Sequence, residues 1–282
     1  MKKRLPAQAG TFYPNTEGAL RTQIQQSFLH PLGPGAVPTI PRTRDQNLLG
    51  LIVPHAGYMY SGPVAAHSYH RLASAGIFES IIILGPNHTG LGSGVSTMTE
   101  GEWSTPLGDV LIDADLAREI VDSSDLVDVE DEAHRKEHSI EVQLPFLQFI
   151  YPRRFKFVPV CMLLQDLKTS IEVGEAVAKA AEKYGAAVLA SSDWTHYEPQ
   201  EEAQSKDRQA IGVALQMNEK QFQGIIEERP ISACGYGPVT AMIRAAKLRG
   251  ARSGNLLSYQ TSGDVTGDKS SVVGYAAASF EK

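Results

Sequence analysis

"LIVPHAGYMYSG", residues Leu51–Gly62, contains the pattern from which the fold can be inferred. An apolar run that begins at Leu48 continues into this stretch and stops at Pro54, which has no N–H to donate to a sheet ladder. We therefore predict a buried strand over Leu48–Val53, with His55 just past its carboxyl end. Ligands of open α/β sheets bind at that edge, because the loops there converge above a rigid floor.

The same pattern, an apolar run followed by a loop with reactive side chains, occurs twice more. "SIIILGPNHTG" ends its run at Gly-Pro and then places His88, and "AAVLASSDWTH" places Asp193 and His196. A helical pattern over Gly62–Ala75 lies between the first two strands and implies a right-handed parallel crossover. Such a crossover puts His55 and His88 at the same edge of the sheet. We predict that the three loops form one site.

The rest of the chain predicts an α/β fold. "FKFVPVCML" and "SSVVGYAAASF" read as further strands and Trp103–Ile112 as a hairpin, whereas "GLGSGVSTM" is not a phosphate loop because a strand-like stretch follows it. No repeat or linker marks a boundary, so we predict a single domain over 1–282, a three-layer αβα sandwich whose largely parallel central sheet has antiparallel edges. Helices are also predicted over Thr16–Leu29, Asp115–Ser123, Ile171–Tyr184, Glu201–Met217 and Glu219–Glu227.

Composition excludes several classes of function. The 282 residues carry a formal net charge of -6 with both signs interspersed, so neither nucleic acid nor a membrane surface is an expected partner. The start "MKKRLPAQAG" lacks the apolar core of a secretory signal, and no apolar run approaches the length of a membrane span. Two cysteines far apart, Cys161 and Cys234, fit a reducing compartment. We expect a soluble cytoplasmic protein, with no prediction of its oligomeric state.

The loop histidines are candidate metal ligands. His55 and His88 lie beside Gly and Pro at strand ends, and neutral imidazole is the commonest metal ligand. The alternative is that both are ordinary loop residues that face solvent. Asp193 and His196 are candidates for acid–base or substrate-orienting groups, although an aspartate can also cap a turn and a histidine can orient it.

The sequence around Cys234 is consistent with two roles for its thiol. It precedes a helix predicted to start at Pro238, whose dipole would favour a thiolate that binds metal or reacts. It could instead be a small buried hydrophobe, which is our prediction for Cys161 in its apolar strand.

A predicted helix, "EHSIEVQLPFLQFI", places His138 and Glu141 on one face. They are either a buried polar pair that seats the helix or hydrogen-bonding partners that fix the tautomer of a metal ligand. The other histidines have no converging partners and are predicted to be structural or solvated: His30, His67, His70 and His134.

The motifs "AGTFYP", "VPHAGYMYSG", "GPNHTG", "EHSIEVQLPFL", "SSDWTHY", "ACGYGP" and "SGDVTGDKSSVVGYAA" together resemble the Memo family, known in animals as mediators of receptor-driven cell motility. They follow one another from Ala9 to Ala277. The family is similar in fold to class III extradiol dioxygenases, non-haem iron enzymes that cleave catechol rings. The resemblance implies metal ligation by His55, His88 and Cys234. It also implies that Asp193 and His196 line the pocket, with His196 at the acid–base position of the dioxygenases.

One difference from the dioxygenases affects the expected chemistry. Those enzymes use two histidines and a carboxylate, which leaves iron(II) open positions for substrate and oxygen. Here Cys234 stands where the resemblance would put the carboxylate, and a thiolate is softer and more oxidisable. We expect a mononuclear divalent metal, iron(II) first with copper or zinc as alternatives, and a metal-dependent redox role.

Two alternative functions stay open. One is a true extradiol-type dioxygenase. The other is a non-enzymatic module that holds a peptide or small acid in a vestigial pocket, as animal family members are proposed to hold phosphotyrosine segments. In each case the expected partner is a small-molecule or peptide ligand.

Overall fold

A computed structural model of the chain describes residues 2–152 and 155–282. The strands of these residues are β1 (Lys3–Arg4), β2 (Leu48–Val53), β3 (Ser80–Pro86), β4 (Val95–Thr97), β5 (Glu102–Thr105), β6 (Gly108–Leu111), β7 (Asp128–Val129), β8 (Lys156–Met162), β9 (Ala187–Ser191), β10 (His196–Glu198), β11 (Ser253–Thr261) and β12 (Val272–Glu281). The helices are α1 (Glu17–Leu29), α2 (Tyr58–Ser74), α3 (Ala114–Val121), α4 (Gln143–Ile150), α5 (Leu167–Tyr184), α6 (Gln200–Leu215), α7 (Glu219–Glu228), α8 (Tyr236–Leu248) and α9 (Ser262–Thr266).

The central sheet has nine strands in the described residues, in the order β10-β12-β2-β9-β3-β8-β4-β7, with β11 also paired to β12. The middle strands β2, β9, β3 and β8 are all parallel, whereas β12 and β4 run antiparallel to them on either side. This mixed sheet confirms the predicted fold class. The predicted hairpin is β5 and β6, which form a separate three-stranded sheet with β1.

Helices cover both faces of the sheet. Leu49 and Ile52 of β2 belong to a core that includes residues of α5 and α8, while Leu51 and Val53 belong to a second core that includes residues of α1, α2 and α4. Because both faces of β2 are buried, its sequence is a continuous apolar run and not an alternating one. The three-layer arrangement therefore explains the pattern from which the strand was predicted. None of the helices in the described residues is long and apolar enough to cross a membrane.

One helix is shorter than predicted. The helix expected over "EHSIEVQLPFLQFI" begins only at Gln143, so the prediction that His138 and Glu141 share a helix face is wrong. Residues 139–142 form turns, and Pro145 is the third residue of α4, where its missing N–H removes no helical hydrogen bond.

Other boundaries differ by a few residues. Helix α2 begins at Tyr58, before the predicted Gly62, and α8 begins at Tyr236, before the predicted Pro238. Strands β10 and β11 were not predicted.

Candidate metal centre

The loops after three of the parallel strands meet at one edge of the sheet, as predicted. His55 follows β2, His88 follows β3, and Asp193 and His196 follow β9. All four line a cavity of about 590 Å³, together with Phe12, Ala56, Gly57, His138, Tyr197, Ser232, Cys234 and Val273. The cavity is therefore built from the chain's chemically reactive loops.

Three histidines form the tightest group of possible metal ligands in the part of the chain that the structure describes. One ring nitrogen from each of His55, His88 and His138 lies within 4.8 Å of the other two. The ring centroids of His88 and His138 are 4.5 Å apart, and that of His55 lies 5.2 and 5.4 Å from them. Groups at these separations can close on a single ion by small side-chain movements.

The tautomer of His55 is determined by Ser191. Nδ1 of His55 lies 2.8 Å from Ser191 Oγ, and the Ser191 hydroxyl donates its own hydrogen to the carbonyl of Ser139 at 2.7 Å. Since the hydroxyl proton is committed, Nδ1 of His55 is the donor in their bond and carries the proton. Nε2 of His55 therefore keeps its lone pair for a metal ion.

Glu137 holds the other two rings of the group. One of its oxygens, Oε1, lies 2.9 Å from Nδ1 of His88 and 3.3 Å from Nδ1 of His138. The same carboxylate accepts the backbone N–H groups of His88, His138 and Ser139. A carboxylate that accepts from Nδ1 leaves Nε2 as the metal-binding atom and fixes the direction of the ring.

Burial keeps two of the three imidazoles uncharged. It lowers the pKa of His55 well below its usual value, with neighbouring imidazoles contributing, and it lowers the pKa of His138 to about 4. Burial by itself would raise the pKa of Glu137, but the hydrogen bond from His88 and the nearby imidazoles lower it to about 2. At neutral pH His55 and His138 are neutral and the Glu137 carboxylate is charged.

Cys234 lies beside His55 but is not part of the group of three imidazoles. Its Sγ is 3.1 Å from Nε2 of His55 and 3.2 Å from the backbone nitrogen of Asp193. Burial, with the charge of Asp193, raises the pKa of the thiol well above its usual value. The thiolate that the helix dipole was expected to favour is thus opposed by desolvation, and a cation is needed to stabilise it.

Asp193 and His196 line the same cavity, and Asp193 lies next to His55 and Cys234. Asp193 Oδ1 accepts the backbone N–H of His55 at 2.8 Å, and burial raises the pKa of the carboxyl to about 6 despite that bond. His196 Nδ1 donates to the carbonyl of Ser232 at 2.9 Å, which leaves Nε2 as an acceptor. These contacts suit the acid–base roles predicted for both residues.

The contacts of His138 and Glu141 differ from those predicted for them. His138 lies in the group of three imidazoles, and Glu141 accepts hydrogen bonds from residues near the N-terminus. The buried carboxylate of Glu141 accepts from Arg4, from the backbone of Ala7 and Gln8, and from the hydroxyl of Tyr13. These hydrogen bonds hold residues 4–13, which we call the N-terminal arm, against the segment that carries Glu141.

Sequence reasoning missed Glu137 and Phe12. Glu137 precedes His138 in the motif "EHS", and a carboxylate next to a candidate ligand was the available signal. Phe12, in the arm, packs edge-on against the His138 ring with centroids 4.7 Å apart. Nothing in its local sequence indicates that contact.

His134 is structural, one of the two roles predicted for it. The side chain is fully buried, packs edge-on against Trp103, and its Nδ1 has no hydrogen-bond partner among the described residues.

Comparisons with known proteins agree with this architecture. A family model described as "Memo-like protein" matches residues 4–279. A MEMO1 family protein of Methanopyrus kandleri is 51% identical over 284 residues, covering 99% of each chain, and one of Methanothermobacter thermautotrophicus is 51% identical over 275 residues, covering 97% of this chain and 98% of the relative. A MEMO1 family protein of Sulfurisphaera tokodaii is 48% identical over 281 residues, covering 98% of this chain and 99% of the relative.

Among solved structures, an uncharacterized protein of Escherichia coli K12 superposes with a TM-score of 0.54. The match covers 82% of this chain and 99% of that one at 15% identity, so it supports the fold alone. With a family model over nearly its whole length and relatives at about half identity, the chain belongs to the Memo-like protein family.

Proposed function

We propose that the chain is a metal-dependent redox protein with a mononuclear iron(II) centre, in which His55, His88 and Cys234 are ligands and His138 is the further candidate. The observation that carries this proposal is the group of three imidazoles, whose ring nitrogens lie within 4.8 Å of one another at a cavity wall. Copper and zinc are the competing ions, because a thiolate is a soft ligand.

The residues present fit a metal ion. The rings of His55 and His88 are each held through Nδ1, so each can offer Nε2. The 3.1 Å between Cys234 Sγ and His55 Nε2 also suits a shared ion, because atoms bound to one metal at about 2.0–2.3 Å lie roughly 3–4 Å apart.

Iron(II) held there would supply one-electron redox chemistry. Side chains of the protein would accept and donate the protons. Nε2 of His196 can accept a proton from a bound substrate, because Nδ1 already donates to Ser232. Asp193, with a pKa of about 6, can exchange a proton close to neutral pH. The substrate expected for such a cavity is a small molecule.

An extradiol-type dioxygenase is the second candidate, favoured by one observation. A carboxylate, Asp193, lines the cavity with the histidines. However, its Oδ1 already accepts from the His55 backbone, and the residue closest to His55 Nε2 is a cysteine. These contacts favour the broader redox proposal over ring cleavage.

A binding module without catalysis is the third candidate. The cavity of about 590 Å³ is large enough for an amino-acid side chain, and Tyr197 on its wall is 79% exposed. A peptide or small acid could contact that ring without any metal.

The test begins with metal analysis of protein purified without chelator, followed by anaerobic reconstitution with iron(II). We expect one ion per chain, and oxygen uptake when catechols or thiols are added. His55→Ala and His88→Ala are expected to lose the metal and stay folded, because both side chains lie at the cavity wall and outside the hydrophobic cores. His70→Ala, a half-buried histidine on α2, is the matched control and should keep the metal.

The outcomes separate the candidates. Oxygen uptake with catechols alone would support the dioxygenase. A metal-free protein that still binds a peptide or small acid by calorimetry would support the binding module. Unchanged metal content in both His55→Ala and His88→Ala would contradict the proposed centre.

A further inference from the structure

The fourth parallel strand, β8, also ends at the edge of the sheet where the metal centre lies, but its loop has no residue on the cavity wall. Its loop instead reaches the segment that carries Cys234. The side-chain amide of Gln165 donates from Nε2 to the Cys234 carbonyl at 3.0 Å and accepts at Oε1 from the Gly237 N–H at 2.8 Å. One glutamine thus holds both ends of the turn between Cys234 and α8.

Gln165 is itself held firmly. Its carbonyl accepts from Ser170 Oγ of α5 at 3.1 Å and from Gln223 Nε2 of α7 at 2.9 Å. Gln223 also lies 3.1 Å from Thr240 Oγ1 of α8, and the side chains of all three partners are buried. The backbone from which the Gln165 amide extends is therefore held by a hydrogen-bond network that includes side chains of three helices.

The other side of the Cys234 segment is fastened to the end of β9. The N–H of Cys234 donates to the Asp193 carbonyl at 3.2 Å, and the N–H of Gly235 donates to Ser192 Oγ at 3.0 Å. A Cβ at Gly235 would collide with the Ser191 carbonyl, so the segment lies directly against this strand end. The segment that carries the thiol is therefore hydrogen-bonded on one side to the loop after β8 and on the other side to the end of β9. These bonds hold the thiol next to His55.

We infer that Gln165 is a positioning residue that holds the Cys234 thiol in reach of the metal, an inference that rests on the proposed function. A neutral amide suits this task because it must donate to one backbone group and accept from another. A glutamate could accept from Gly237 but could not donate to Cys234, and its charge would oppose a thiolate nearby. Weakening such outer contacts lowers metal affinity about 10–100-fold in known sites.

The test uses cobalt(II) as the probe on the full chain. Cobalt–thiolate charge transfer absorbs in the near ultraviolet and reports cysteine ligation, while visible bands report the ion's whole coordination. We expect the parent to show both signals and Cys234→Ala to lose the first. Gln165→Met, which keeps the length of the side chain and removes the amide, should lose most of the thiolate band and bind cobalt about 10-fold more weakly.

Two further variants complete the design. Gln165→Glu keeps the acceptor and loses the donor, so its thiolate band should fall as well. Gln209→Ala is the control and should match the parent, because Gln209 is a half-buried glutamine on α6 whose side-chain amide donates to Ser205. A thermal midpoint for each variant checks that the fold is intact.

The possible negative results contradict different parts of the inference and can be told apart. A parent-like thiolate band and affinity in Gln165→Met would overturn the positioning role and leave the proposed function intact. Visible cobalt bands without a thiolate band in the parent would also overturn it, because Cys234 would then not be a ligand, while the histidine site would stand. No cobalt binding by the parent would remove the proposed function and this inference together.

Discussion

At the scale of single residues, the carboxylate of Glu137 determines how two of the three grouped histidines can act. It accepts from Nδ1 of His88, lies close to Nδ1 of His138, and also takes backbone N–H groups of the same loops. Ring direction and tautomer thus depend on one buried side chain that contributes no atom to the cavity wall.

Glu137→Gln is expected to weaken metal binding about 10–100-fold, because the amide replaces one acceptor oxygen with a donor that opposes the donors of His88. Competition with a chromophoric chelator measures the affinity. Glu132→Gln, an exposed glutamate on the same loop, is the matched control and should bind like the parent. Parent-like affinity in Glu137→Gln would show that the carboxylate does not orient the ligands.

His134 is a second residue whose surroundings have a measurable consequence. Burial, together with the charge of Arg4, lowers the pKa of its imidazole from 6.5 to about 3, whereas Glu137 acts in the opposite direction. The folded protein therefore keeps His134 neutral over a range in which the unfolded chain binds a proton. Stability from this residue is complete above pH 6.5 and falls as the pH drops towards 3.

His134→Phe is expected to reduce the loss of stability between pH 7 and pH 5 by about 2 kcal/mol, since each unit below the unfolded pKa costs about 1.4 kcal/mol. Urea unfolding at the two pH values gives the difference for parent and variant. The hydrogen bond from the side-chain Nε of Arg4 to the backbone carbonyl of His134 does not involve the imidazole and is unaffected by the change. Equal acid sensitivity in the two proteins would show that His134 takes up its proton without cost.

At the scale of elements, the N-terminal arm is part of the structure around the site. Arg4 donates to the carbonyls of His134 and Glu137 and pairs with Glu141 at 2.5 Å, with side-chain exposures of only 6% and 0%. Its guanidinium also lies over the Trp103 ring. The arm and the segment that carries His138 therefore share one buried ionic centre.

Arg4→Met is expected to destabilise the fold by about 3–5 kcal/mol, because it leaves the Glu141 charge buried without its partner. Adding Glu141→Gln should recover part of that loss by removing the charge. Arg21→Met is the control: Arg21 pairs with Glu17 on the surface of α1, and the expected cost is below about 1 kcal/mol. Urea unfolding measures all three, and an Arg4 variant as stable as the Arg21 variant would be the contrary result.

At the scale of the whole molecule, the candidate metal centre brings together loops from separate parts of the chain. His55, His88 and His138 follow different elements, so an ion bound by all three ties those parts together in the folded state only. Binding that occurs in the folded state and not in the unfolded chain stabilises the fold by mass action.

Iron(II) at 100 times its dissociation constant is expected to stabilise the parent by about 2.7 kcal/mol, which corresponds to a rise of roughly 5 °C in the thermal midpoint. Anaerobic thermal scans with and without the ion measure the shift, and a chelator should reverse it. His67→Ala, which alters a half-buried histidine on α2, should keep the shift. A shift of equal size in His138→Ala would show that His138 takes no part in binding.

Much of this architecture follows from the sequence alone. The apolar runs before His55, His88 and Asp193 predicted buried strands, since only strands covered on both faces lack polar alternation. The strand–helix–strand order implies parallel strands, whose carboxyl-end loops lie at one edge of the sheet. These inferences succeed because they depend on neighbours along the chain.

What only the tertiary structure decided depends on contacts between distant residues. The turn that brings His138 beside His88 is shaped by Glu137 and by Arg4, which lies 133 positions away from Glu137, so no local pattern indicates it. Strand β11, "SGNLLSYQT", has strand periodicity only over residues 257–261, and its full length follows from the edge that β12 offers for pairing. Helical and strand periodicity in a sequence predicts which face of an element is buried. It does not predict which distant group a polar side chain will contact.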